Sequence, residues 1–332
     1  MRREIIFDIK EENHSNFAKS LIDNYNGEFD GTKGSFNNEK GHGNVWVHKW
    51  NDDLETGLFE INLNDDSDLI RKATHDKKWL LLVFNLSQSI NQEILTDKSI
   101  IGNIQDGIFV HCLCYDAVYR FKKNMANRII IIRINKDSLS KFTTNNKILS
   151  FFKNNNTFAF YERIDATMFQ KVSKMFAAQK DKDFAIGQTT LIAIDLTLSF
   201  LRRINQRHLK SFIGRGLHPK DIQLMQEARS ILISSFKNKI TLPELAQELN
   251  ISVSKLKRDF KKYYNTNVTQ FYTDLRMNKA YEYLETGSFQ VSDVAEIVGY
   301  ESLPQFTQTF KKYHGVLPNQ VILKKSENEI LS

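Results

Sequence analysis

Cysteine, proline and long apolar runs are what this 332-residue chain has least of. It holds two cysteines and four prolines. Cys112 and Cys114 stand one residue apart in a strand-like segment, a spacing at which disulfides are uncommon. That argues against a disulfide-stapled secreted scaffold and for reduced thiols in a cytoplasmic protein. The strongest apolar runs, 79–84 and 129–132, are far too short to cross a bilayer. No basic, apolar and small-residue leader opens the chain, so no secretory signal and no membrane partner are expected. Also missing are a tight histidine pair, a phosphate-cradling glycine loop and a nucleophile elbow. His42, His48, His75 and His111, with the two cysteines, lack the spacing of known metal sites and read as scattered surface or core residues. No catalytic residue, metal or cofactor is therefore assigned, and an enzyme is not expected.

What is present is ordinary for a soluble protein: 41% hydrophobic and 26% charged residues. The length suits two or three domains. A net charge of +7 suggests an anionic partner, and its placement says more than its size. Across 254–264 five basic residues, Lys255, Lys257, Arg258, Lys261 and Lys262, face one acid, Asp259. On a helix such a stripe is either a solvated face or a footprint for phosphate.

The front half reads as strands, at 45–47, 58–63, 79–86, 109–119 and 129–134. Turn clusters at Asn51-Asp52-Asp53 and Asp65-Asp66-Ser67-Asp68 separate several of them. A small barrel or sandwich is implied, while residues 1–44 carry no readable pattern. Trp46, Trp50 and Trp79 with Phe59, Phe84 and Phe109 are either core or the lining of a pocket. Helices are expected over about 166–178, burying Met168, Val172 and Met175, and over about 186–207. On the second, Leu191, Ile194, Leu198 and Leu201 recur at intervals of three, four and three. That stripe either packs on the domain's own sheet or serves as a dimerisation seam. The resulting fold class is α+β: a β-rich sensor and dimerisation domain over 1–209, a Gly-containing linker over 210–218, and an all-helical domain over 219–332. The last opens with a helix over about 219–236.

The last region repeats itself. Leu245-Ala246-x-x-Leu249-Asn250, Ser252, Leu256, Phe260-Lys261-Lys262-Tyr263 and Gln270 reappear as Val294-Ala295-x-x-Val298-Gly299, Ser302, Phe306, Phe310-Lys311-Lys312-Tyr313 and Gln320. The offset is 49 residues before the serine and 50 from it onward, so the second turn is one residue longer. Thr241-x-x-Glu244 reads as a capping box with Pro243 in the first turn, and Asn267-x-x-Gln270 and Ser302-x-x-Gln305 as further helix starts. Asn250 and Gly299 suit a left-handed turn. These are two helix-turn-helix units, at about 241–264 and 291–314. Two such units in phase suit an extended, repetitive partner, and double-stranded DNA is that partner. A helix over about 268–285, about 27 Å long at 1.5 Å per residue, is suited to hold two recognition helices one DNA turn, about 34 Å, apart.

Residues 239–324 resemble the AraC/XylS family of bacterial transcription regulators. The resemblance rests on Leu245-Ala246, Ser252-x-x-x-Leu256-x-Arg258-x-Phe260-Lys261, Arg276-x-x-x-Ala280, Val294-Ala295-x-x-Val298-Gly299-Tyr300, Phe306-x-x-x-Phe310-Lys311-Lys312 and Gly315-x-x-Pro318. It covers about a quarter of the chain. Asn265 stands where the family usually has glycine, and Gln308 where arginine is common. The resemblance implies base contacts from Ser254, Lys257 and Arg258 in the first helix and from Leu303, Pro304, Gln305 and Gln308 in the second. It places Lys261, Thr307, Lys311 and Lys312 at phosphate. Gln308 shifts preference toward adenine, and Leu303 and Pro304 suit thymine methyls. The family also implies RNA polymerase as a partner, a homodimer, a small-molecule effector and, most often, activation. Lys255-Leu256-Lys257-Arg258-x-Phe260 is similar to a siderophore-responsive, pyochelin-regulator-like subgroup, which implies an iron-siderophore signal. Two alternatives stand beside this reading: a metal-dependent β-barrel enzyme fused to a DNA-binding tail, and an architectural DNA binder without sequence preference.

Overall fold

The computed structural model describes every residue except 1–2, 8–12, 75, 87–90, 97–98, 105–106, 114–115, 155–157, 163, 206–218, 236–239, 265 and 323–332. The class is α+β. The chain divides into two compact units, Met1–Ile164 with Gln170–Pro219, and Asp165–Phe169 with Lys220–Ser332. Among the described residues no helix is long and apolar enough to cross a membrane. The expected linker, His75, Cys114 and Asn265 lie outside the described residues.

The first unit is built on two sheets. Its strands are β1 (Arg3–Phe7), β2 (Glu28–Phe29), β3 (Lys33–Asn38), β4 (Gly41–Asn51), β5 (Leu54–Leu63), β6 (Ser67–Arg71), β7 (Trp79–Asn85), β8 (Asn91–Thr96), β9 (Ser99–Ile104), β10 (Gly107–His111), β11 (Asp116–Phe121), β12 (Asn127–Asn135) and β13 (Ala159–Glu162). One sheet has the order β1-β6-β11-β8-β9 and the other β13-β10-β7-β12-β5-β4-β3-β2. Among the described residues only the β1–β6 pair is parallel. The β4–β5 hairpin turns where the Asn51-Asp52-Asp53 cluster stands, because Asn51 Oδ1 accepts from the amides of Asp53 at 2.8 Å and Leu54 at 3.0 Å. All seven residues of β7 are buried, which explains the apolar run of its first six: the strand is covered on both faces. Its partner β12 registers Ile130 on Phe84 and Ile132 on Leu82.

Three readings of the front half change. The 109–119 run is not one strand: β10 and β11 belong to different sheets. The chain breaks between them, where the Cys112 amide donates to the Phe158 carbonyl at 3.2 Å and the Leu113 carbonyl accepts from Thr74 at 2.8 Å. Apolar composition alone cannot show such a change of sheet. The 65–68 cluster is half turn and half strand, since β6 starts at Ser67. The unreadable opening holds α1 (His14–Asn24), whose amphipathic face buries Phe17, Ala18, Leu21 and Ile22. A further helix, α2 (Asn146–Asn154), follows a 3-10 turn at Lys136–Lys141.

Two helices meet expectation closely. α3 spans Ala166–Ala178 with Met168, Val172 and Met175 buried. α4 spans Ala185–Asn205. Its core face runs through Ala193, Leu196, Thr197, Phe200, Leu201 and Ile204, so Leu201 packs inside its own unit. Leu191 is 70% exposed, and Ile194 and Leu198 are half-buried. Of the aromatic set, Trp79, Phe59, Phe84 and Phe109 are core, whereas Trp50 is exposed.

The second unit is helical: α5 (Pro219–Ser234), α6 (Leu242–Glu248), α7 (Val253–Tyr264), α8 (Val268–Thr286), α9 (Val291–Ile297) and α10 (Leu303–His314). Met225, Ala228 and Leu232 of α5 are buried, while Ile231, which shares their helical spacing, is half-buried.

Candidate nucleic-acid interface

Both helix-turn-helix units are assembled by the same local chemistry. At the start of α6, Thr241 Oγ1 accepts from the Glu244 amide at 3.4 Å and Glu244 Oε2 accepts from the Thr241 amide at 2.7 Å. At the start of α9, Asp293 Oδ2 accepts from the Gln290 amide at 3.2 Å, a cap the sequence pattern did not suggest. The recognition helices α7 and α10 are capped by Ser252 Oγ on Lys255 N at 3.1 Å and Ser302 Oγ on Gln305 N at 3.4 Å. Asn267 Oδ1 caps α8 through the Gln270 amide at 2.8 Å. Each cap satisfies an amide that the helix itself leaves unbonded.

The two inter-helix turns superpose bond for bond. Ile251 N donates to Ala246 O at 3.0 Å and Asn250 N to Gln247 O at 3.0 Å. Tyr300 N donates to Ala295 O at 2.8 Å and Gly299 N to Glu296 O at 2.8 Å. This is the Schellman closure, which needs a left-handed residue just past the helix. Asn250 at φ +52° and Gly299 at φ +75° supply it. Ala246 and Ala295, both buried, are small enough for the helices to approach.

The inward faces are Leu256 and Phe260 on α7 and Phe306 and Phe310 on α10, all fully buried. α8 serves both units. Phe271 meets Phe260 edge-on at 5.2 Å, while Met277, Ala280 and Leu284 join Val294, Ala295, Val298, Phe306 and Phe310 in one core. Arg276 makes the helix more than a spacer. Its guanidinium donates to the carbonyls of Val298 and Gly299 and lies 4.1 Å from the Tyr300 ring. It thus satisfies carbonyls at the end of α9 and holds the second turn.

At the position where α7 ends in Tyr264, α10 ends in His314. Tyr264 donates its hydroxyl to Met225 O at 3.3 Å, and His314 Nε2 lies 2.9 Å from Met277 O. Burial lowers the His314 pKa to about 4, and the Met277 carbonyl offsets only part of that.

Opposite these cores lie the residues expected at DNA. Ser254, Lys257, Arg258 and Lys261 are exposed on α7. Leu303, Pro304, Gln305, Gln308, Lys311 and Lys312 are exposed on α10, and Thr307 is half-buried. Leu303 is 44% exposed, an apolar side chain left in solvent. The basic stripe needs one correction. Lys255 turns inward, with its ammonium 2.6 Å from Asp221 Oδ1 on α5 and 2.8 Å from Asp259 Oδ2. Arg258 is paired as well, through Nε to Asp259 Oδ1 at 2.8 Å and Nη2 to Asp259 Oδ2 at 3.2 Å. The Arg258 guanidinium holds the Asp259 carboxyl below the usual carboxylate range, although burial opposes it. Two of the five basic residues are therefore matched by two carboxylates. Nothing in the sequence links Asp221 to this group, because it joins from another helix.

In the first unit, Arg133 of β12 is fully buried, with its guanidinium carbon 4.1 Å from the Trp79 ring and Nη1 3.7 Å from Glu55 Oε2. His14 donates its backbone N–H to Glu55 Oε2 at 3.2 Å. Burial, then Arg133 and Arg71, lower the His14 pKa to about 3. His48 bonds Gln179 at 2.8 Å, and His111 bonds the Cys112 carbonyl at 2.7 Å. Cys112 is fully buried. Among the described residues no group of three or more His, Cys, Asp and Glu side chains could hold a metal.

Residues 245–323 match the family model of a helix-turn-helix domain. The chain is 26% identical over 162 residues to the HTH-type transcriptional regulator ArgR of Pseudomonas aeruginosa, covering 48% of each. It is 35% identical over 100 residues to the HTH-type transcriptional activator FapR of Escherichia coli, covering 30% of this chain and 38% of that protein. The chain thus spans under half the length of these curated relatives. Among solved structures it is 32% identical to the C-terminal domain of AraT, a response regulator from Geobacillus stearothermophilus. That match covers 30% of this chain and 84% of that one, with a TM-score of 0.30.

Proposed function

From a chain that carries an AraC-type helix-turn-helix domain, we propose a sequence-specific transcription regulator that inserts α7 and α10 into the major groove of double-stranded DNA. The observation that carries this is the pair of equivalent turns, each closed by a Schellman bond pair and each followed by a helix with polar and basic residues outward. Base edges are read by Ser254, Lys257 and Arg258 on α7 and by Leu303, Pro304, Gln305 and Gln308 on α10. Lys261, Thr307, Lys311 and Lys312 bind phosphate and set the register. The protein activates transcription through RNA polymerase, and the name of the activator FapR supports that direction.

The β-rich unit takes the sensor role, with a small molecule such as an iron-siderophore as its signal. Support comes from its being a separate compact unit and from the wording of α7. A homodimer forms along the exposed part of α4, where Leu191, Ile194 and Leu198 continue past the buried Leu201. The deciding experiment is genome-wide footprinting with the full chain, followed by affinity for the recovered site and for random duplex at equal salt. A specific-to-random ratio near one sinks the proposal and favours an architectural binder.

A further inference from the structure

The four charged groups around α7 sum to zero: Lys255 and Arg258 against Asp259 and Asp221. Adjacent residues on a helix point about 100° apart and do not normally meet. Arg258 reaches Asp259 only by folding back along its own helix, and it does so with two bonds. The carboxylate is almost entirely enclosed, at 2% side-chain exposure, whereas the guanidinium is 69% exposed. Lys255 bonds the same carboxylate, sharing Oδ2 with Arg258, and is itself anchored to α5 by Asp221. The arginine is therefore an exposed group tied to an enclosed one.

Which hydrogens the tie consumes decides what the arginine can read. A guanidinium carries five N–H donors in a plane. Asp259 takes the Nε hydrogen and one on Nη2, the side-on edge. The end-on edge, one hydrogen on Nη1 and the second on Nη2, stays open toward solvent. Guanine offers two acceptors in the major groove, O6 and N7, that match such a donor pair. Adenine offers one acceptor and one donor there, which an end-on guanidinium cannot match.

Resting on the DNA-reading role of Arg258 given above, we infer that Asp259 is a positioning residue that presents the end-on edge of Arg258 to a guanine, making the first half of the site guanine-specific. Two features sharpen this. Because the four charges cancel, Arg258 adds little to sequence-independent attraction for phosphate, which falls to Lys261 on α7 and to Lys311 and Lys312 on α10. And the second unit has no counterpart: at the positions of Lys255, Arg258 and Asp259 it carries Gln305, Gln308 and Thr309. Thr309 Oγ1 donates to its own helix at Gln305 O, 2.8 Å away. The guanine preference belongs to α7 alone.

The test uses the full chain and a duplex panel in which every base pair of its preferred site is replaced in turn, with affinities measured over a salt series. Arg258→Ala should erase discrimination at one guanine by about tenfold or more and leave the salt slope nearly unchanged. Asp259→Asn should weaken discrimination at that same guanine and steepen the salt dependence by about one phosphate, since the released arginine is free to bind backbone. The double variant should match Arg258→Ala alone. Arg258→Lys keeps the charge and stays on the surface, so it folds whatever Asp259→Asn does. Lacking the planar edge, it should lose discrimination as Arg258→Ala does.

Retained guanine preference in Arg258→Lys would overturn the inference. So would an Asp259→Asn protein that loses affinity evenly at all positions, or a double variant weaker than Arg258→Ala. If the wild type prefers no duplex at all, the DNA-reading proposal itself fails. Specific binding that none of these variants alters removes only the role given to Arg258 and Asp259.

Discussion

The two helix-turn-helix units share a backbone and differ in chemistry. Their turns close with the same two hydrogen bonds, their inward faces are equally buried and one helix, α8, supports both. Outward, the first unit presents an arginine buttressed by a buried carboxylate, and the second presents two glutamines and an exposed leucine. Inward, a tyrosine in one is a histidine in the other. The repeat keeps its turn bonds and most of its buried face alike and differs chiefly in its exposed residues. The packing constraint acts on shape, which apolar residues supply interchangeably, whereas recognition depends on the placement of individual donors.

The strongest challenge to the shared scaffold is removal of its equivalent anchors. Phe260→Ala and Phe310→Ala should each destabilise the helical unit by about 3–5 kcal/mol, as expected for a buried phenylalanine. The three tryptophans, Trp46, Trp50 and Trp79, all lie in the first unit, so peptide-resolved hydrogen exchange is the suitable measurement. A loss under 1 kcal/mol for either variant would mean that the two cores are not equivalent.

Acid should separate the units next. His314 has a folded pKa of about 4 against 6.5 in the unfolded chain. Between those values the unfolded state binds the extra proton, so this contribution is complete above pH 6.5 and is lost as pH falls toward 4. About 3 kcal/mol is at stake. Exchange protection in α10 should fall before that in α7 on acidification, and His314→Tyr, which installs the residue of the first unit, should abolish the difference. His14 and His111, both lowered to about 3 by burial, act in the β-rich unit and are separable by peptide.

Recognition differs by a smaller margin. Arg258→Ala should cost about 1–3 kcal/mol on the preferred site, and Gln308→Ala an amount at the lower end of that range at a different base. Lys311→Ala should instead weaken all duplexes alike and reduce the salt slope by about one. Equal losses on specific and random duplex for Arg258→Ala would contradict base reading.

The turns are the finest comparison. A left-handed residue costs less as glycine than as asparagine, so Asn250→Gly should stabilise by a few tenths of a kcal/mol, up to about 1 kcal/mol, and Gly299→Asn should cost a similar amount. Thermal melts of the full chain followed at a helical wavelength would detect both. Opposite signs at the two sites are required.

How much of this was legible beforehand depended on the range of the interactions involved. The helix-turn-helix units were readable because caps, turn residues and the 3.6-residue period are local signals, and repetition doubled each one. α3 and most of α4 were readable for the same reason. The break between β10 and β11 was not, since two buried strands in different sheets have the same composition as one long strand. α1 was missed because its apolar face is short and lies within a polar opening. Asp259 looks like the lone acid in a basic stripe, and only its burial on α7, with Lys255 held by Asp221 of α5, shows it to be the partner of Arg258.

Residue order alone determined that two capped, glycine- or asparagine-turned helix pairs would form in phase, because those choices are made within a few bonds of backbone. Tertiary structure decided which charges remain available to a partner. A carboxylate gains its hold on an arginine only where packing excludes water around it, and that enclosure is assembled from helices distant in the chain.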